Sequence, residues 1–92
     1  MEKLQWETPE EIILNMAIRV KKIRKRKKIS QQQLSKMSNV SYGTIKRFEQ
    51  TGNISMLYLT QIAVALDCVD EIRNMFCNVS YQNIKEIIDG NK

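Results

Sequence analysis

Helix-start signals recur along this chain so closely that they leave room for little else. Thr8-Pro9-Glu10-Glu11 supplies an N-cap, a proline at the first helical position and a glutamate that closes a capping box. Ser30-Gln31-Gln32-Gln33 repeats the box, and Ser41 and Ser55 are further caps. Three Gly and one Pro in 92 residues allow few long loops. A first helix is predicted from residue 9 to about 27, with Ile13, Met16, Ala17, Val20 and Ile23 on one face. A second spans 31–38 with Leu34 and Met37 on one side, and Ser38-Asn39 ends it because Asn tolerates left-handed backbone. A third spans 42–50, with Ile45 and Phe48 inward and Thr51-Gly52-Asn53 as its stop. After Ser55, Leu57, Leu59, Ile62, Ala63 and Leu66 are apolar on more than one face, so this fourth helix is expected to be the most buried.

A fifth helix follows Asp67 with Val69, Ile72, Met75 and Phe76, and a sixth runs from Ser80 to Gly90 with Ile84, Ile87 and Ile88 inward. No alternating apolar and polar run reads as a strand, although Lys3 to Trp6 suits an extended segment. The expected class is all-α with five to six helices. Its expected parts are an N-terminal arm (1–8), one domain (9–76) and a C-terminal helical tail (77–92).

Charge is distributed unevenly. The net charge of +5 resolves into −3 over residues 1–18, +10 over 19–50 and −2 over 51–92. Eight of the ten residues from Arg19 to Lys28 are basic, and they also suit the negative end of the first helix. Such a block points to a polyanionic partner, with an anionic membrane surface as the competing reading. There is no His, and Cys68 and Cys77 are nine positions apart, so neither a zinc site nor a hydrolytic triad is expected. No cofactor is expected either, nor an enzyme, since no nucleophile–base pair is visible. With no transmembrane run and no apolar leader at Met1-Glu2-Lys3-Leu4, the expectation is a cytoplasmic protein with reduced cysteines. The simplest reading of both thiols is as small buried apolar groups, and Met16, Met37, Met56 and Met75, at helical spacing, read as core or interface residues. Trp6 suits a hydrophobic staple at the first helix or an interface.

Two short helices, 31–38 and 42–50, joined at Asn39-Val40-Ser41, make a helix-turn-helix pattern. Ser35 is small where the helices cross, Val40 packs under the turn, and Leu34, Ile45 and Phe48 supply the contacts. On these residues the stretch from Arg24 to Phe76 resembles the Cro/repressor-type (Xre) helix-turn-helix family. It departs in having Ser35 where Ala is usual and Asn39 where Gly is usual. The resemblance implies a lambda-repressor-like fold and sequence-specific binding of double-stranded DNA in transcriptional control.

A recognition helix at 42–50 meets base edges in the major groove with its N-terminal, outward residues. The candidate base readers are Tyr42, Gly43, Thr44, Lys46 and Arg47, with Arg47 suited to a bidentate pair on guanine. The candidate phosphate contacts are Gln31, Ser41, Lys21, Lys25 and Lys28. Tyr42 also reads as a surface-packing residue, and Gln31 as a plain helix-start residue. Glu49, the sole acid between residues 19 and 50, needs a partner. The resemblance supplies Arg24, as a structural salt bridge.

The family works as dimers on pseudo-palindromic operators, so a homodimeric repressor is the expected form. The apolar residues beyond Leu66 suit either a dimer seam or packing back onto the domain. A second reading follows from the stretch SYGTIKRFEQTGNIS and the short tail, which look like HipB-type antitoxins. That resemblance implies autoregulation and a toxin protein as partner, bound through Met1 to Thr8 or Tyr81 to Lys92. A third reading takes the basic helix alone as an RNA-binding or membrane-surface module.

Overall fold

The computed structural model describes residues 6–78. Five helices follow in order: α1 (Pro9–Arg26), α2 (Gln31–Ser38), α3 (Tyr42–Thr51), α4 (Met56–Ala65) and α5 (Val69–Arg73). No strand occurs among the described residues, and the class is all-α, in keeping with a lambda-repressor-like fold. The expected sixth helix lies outside the described residues, as do most of the arm and most of the tail.

Each start follows the local chemistry. The Thr8 hydroxyl accepts from the Glu11 N–H at 3.1 Å and the Glu11 carboxylate from the Thr8 N–H at 2.8 Å. Ser30 and Gln33 repeat this reciprocal box at the head of α2. Ser41 and Ser55 cap α3 and α4 through the N–H groups of Thr44 and Tyr58. The stops are left-handed residues. Asn39 (φ 61°) closes α2 and Gly52 (φ 85°) closes α3. After α1, Lys28 takes φ 60°, with its N–H on the Lys25 carbonyl and the Ile29 N–H on the Arg24 carbonyl. That paired pattern is a Schellman stop, a position at which Gly is usual. Asp67 (φ 60°) ends α4 in the same way.

Ala17, Leu34, Val40, Ile45, Phe48, Leu59, Ile62 and Leu66 form one buried cluster. α1 packs on α3, α2 on α3 and α4, and α4 on α5. The α3–α1 approach depends on Gly52, where a Cβ would lie 2.5 Å from the Ile13 carbonyl carbon. Gln61 ties α4 back to α2 by donating to the Ser38 carbonyl at 2.9 Å.

The pattern of burial corrects the reading of the two cysteines and shows where apolar residues stay outside the core. α4, the helix expected to be the most buried, turns Leu59, Ile62 and Ala63 to the core, while Leu57 is 66% and Val64 60% exposed. Met37 and Met56 are exposed on α2 and α4, outside the core, so of their two readings only the interface one stays open. α5 ends at Arg73, short of the expected Met75 and Phe76, and Phe76 (φ 57°) is 91% exposed. Cys68 is half-buried, and Cys77 is exposed because it follows that break. Trp6 is also exposed, with no staple contact.

Candidate nucleic-acid interface

The geometry of the site begins at the turn between α2 and α3. The Ser35 hydroxyl donates to the Val40 carbonyl at 2.6 Å, and the Val40 N–H donates to the Ser38 hydroxyl at 3.2 Å. Ser35 is thus more than a small residue at the crossing; its hydroxyl pins the turn. Val40, buried under the same turn, fixes the exit direction of α3.

α3 then divides cleanly into two faces. Ile45, Phe48 and Glu49 are buried, whereas Tyr42, Gly43, Lys46 and Arg47 are exposed. Gly43 has open space where a Cβ would stand. The Lys46 ammonium lies 5.3 Å from the centre of the Tyr42 ring, a cation–π distance that holds both side chains on the outer surface. Thr44 differs from its neighbours. It is half-buried, and its hydroxyl pairs with that of Ser41 at 2.7 Å, leaving its methyl as the group with an apolar contact to offer.

Beneath this face, Glu49 anchors α3. Arg24 Nε donates to Glu49 Oε2 at 2.7 Å and Arg24 Nη2 to Oε1 at 3.0 Å, with both side chains almost fully buried. Arg24 Nη1 donates to the Ile29 carbonyl at 2.7 Å. Gln31 Nε2 also donates to Glu49 Oε1, at 2.9 Å, so one of its amide protons points inward. A bidentate guanidinium–carboxylate pair is directional and has fixed geometry, so it sets the angle of α3 on α1 as well as holding it there.

The basic residues of α1 frame this anchor. Lys21 lies one helical turn before the inward Arg24 on α1, while Lys28 stands beyond the end of α1 at its left-handed stop. Lys25 and Lys28 are exposed, and Lys21 is half-buried. Ser41, exposed at the α3 N-terminus, spends its hydroxyl on the cap and on Thr44.

A helix-turn-helix family model matches residues 20–71, more than half of the chain, from the basic turn of α1 into α5. The chain belongs to the Cro/repressor-type (Xre) helix-turn-helix family. It is therefore a DNA-binding transcription regulator, and the family is not generally enzymatic. No curated protein matches the chain. Among the described residues, no group of three or more His, Cys, Asp or Glu could hold a metal, and no helix is long and apolar enough to cross a membrane.

In this helix-turn-helix protein the outer surface around Arg47 continues past α3 to residues not singled out by sequence. A cleft of about 340 Å³ between α3 and the start of α4 is lined by Thr44, Arg47, Asn53, Ile54, Ser55 and Tyr58, and its walls are mostly apolar. Arg47 shares it with the α4 N-terminus, where backbone N–H groups carry partial positive charge. The sequence signal for this neighbourhood was Ser55, read only as a helix start.

Proposed function

We propose that the protein is a repressor that binds operator DNA as a homodimer, with α3 in the major groove of each half-site. Tyr42, Gly43, Lys46 and Arg47 face base edges, with the Thr44 methyl beside them. Gln31, Ser41, Lys21, Lys25 and Lys28 take phosphates. The observation that supports this reading is the two-faced α3: an outward polar row on a helix held by Arg24 and Glu49. Gln31 serves both sides, because its carbonyl and second amide proton are left over after the bond to Glu49.

The test is a salt-series titration of wild type and Arg47→Ala on DNA from the protein's own upstream region and on scrambled DNA. Wild type prefers its own DNA, and Arg47→Ala loses about 1–3 kcal/mol of that preference. Equal binding of both DNAs by both proteins, set by salt alone, sinks the base-reading role.

An antitoxin role adds a protein partner to the same DNA activity. The exposed Leu57 and Val64 of α4 offer it apolar surface outside the α3 face. Co-expression with the product of the adjacent gene tests it, a stoichiometric complex being the expected result.

A further inference from the structure

A groove of about 400 Å³ opens between α1, α4 and α5, and no residue of α2 or α3 lines it. Met16, Val20 and Ile23 of α1 line one side, with Cys68, Ile72 and Met75 on the other. All six are only half-buried, although most pack against the core cluster. Apolar surface next to the core is thus left open on the side of the domain away from the reading helix.

The chain itself carries a match for this surface. Residues 79–92 include Tyr81, Ile84, Ile87 and Ile88, a stripe at helical spacing with Gln82, Lys85, Glu86 and Asp89 off it. From Tyr81 to Ile88 a helix rises about 10 Å, the same seven-residue interval that separates Met16 from Ile23 on α1. The stripe also starts close by. Residue 79 is four residues beyond Met75, so it lies at most about 14 Å from that wall. So short a tether holds the stripe at millimolar-order effective concentration beside its own groove, above that of a second copy. A segment this short is marginal as a lone helix and gains its stability from a packed face.

We propose that residues 80–89 form a helix that seats Tyr81, Ile84, Ile87 and Ile88 in the groove of their own domain. The groove is then an intramolecular docking surface for an amphipathic helix, independent of DNA binding.

Cys68 on the groove wall is the reporter. In a full-length Cys77→Ser background it is the sole thiol. Seating predicts that Ile84→Asp with Ile88→Asp speeds labelling of Cys68 by a water-soluble thiol reagent at least tenfold. Gln82→Ala leaves the rate unchanged, and the parent rate is independent of protein concentration. Equal rates in parent and double variant overturn the proposal, and so does protection that grows with concentration, which gives the groove to a second copy.

Cross-linking covers the case in which the aspartate variant unfolds. With diamide as oxidant, at least one of Ile84→Cys, Ile87→Cys and Ile88→Cys forms a monomeric disulfide with Cys68, whereas Glu86→Cys forms none. Absence of any cross-link, or a disulfide-linked dimer instead, refutes intramolecular seating.

Discussion

Gln31 and Glu49 meet across the helix-turn-helix, the amide of the first residue of α2 donating to a carboxylate in the last turn of α3 at 2.9 Å. The same carboxylate takes two hydrogen bonds from Arg24, so three helices converge on one buried acid. Glu49→Gln keeps the shape but leaves the Arg24 cation buried without a counter-charge. It should cost about 3–5 kcal/mol in urea unfolding. Replacing Arg24 and Glu49 together with Leu should cost less than the single change, since no unpaired charge remains. A double variant worse than Glu49→Gln would show that the bonds to Ile29 and Gln31 matter more than the ion pair.

Two glycines of α3 and its cap answer to alanine with opposite sign. At Gly52 the added Cβ meets Ile13 and Leu14 backbone atoms at 2.5–2.7 Å, with φ at +85°. Left-handed strain and overpacking together should cost at least about 2 kcal/mol. At Gly43 the space is open and the backbone helical, so Gly43→Ala should gain about 0.5–1 kcal/mol. Thermal melts of the two variants decide both signs.

Lys28 holds a left-handed position that suits glycine better. Lys28→Gly should raise stability by up to about 1 kcal/mol, since it removes the Cβ strain. If the ammonium meets a phosphate, the same change weakens binding to operator and scrambled DNA alike. It also lowers the slope of log K against log salt by about 0.9. A stable variant with an unchanged salt slope would remove Lys28 from the phosphate set.

Cys68 supplies a pH dependence. Burial raises its thiol pKa from 9.0, and Glu71 and Asp67 add to the rise while Lys27 opposes it. A thiol that ionises later in the folded state than in the unfolded one contributes stability that is complete below about pH 9. That contribution is lost as pH rises from the unfolded value through the folded one. Melts of wild type should therefore fall faster above pH 9 than those of Cys68→Ala. Parallel curves would mean the thiol feels no such burial.

The helix starts were legible because they are local: Thr8, Ser30, Ser41 and Ser55 each bind an N–H within three residues. Asn39 and Gly52 announced their stops for the same reason. The inner face of α4 was not legible, because Met56, Leu57, Leu59 and Val64 are all apolar, and no period in such a run says which side meets the core. Met75 and Phe76 were expected on the fifth helix, which instead breaks at Arg73. The Arg24–Glu49 pair was accessible through the family likeness and the loneliness of the acid. Gln31's share in it was not, since 18 residues separate the partners and either role of Gln31 fits its position.

The division of α3 into two faces separates two kinds of change. Ile45, Phe48 and Glu49 answer to the rest of the protein, while Tyr42, Gly43, Lys46 and Arg47 answer to whatever lies outside it. Mutational drift along the second set leaves the first untouched. Under the proposed base-reading role of that second set, a lineage of such chains changes its address on the genome by a few codons while inheriting its architecture intact.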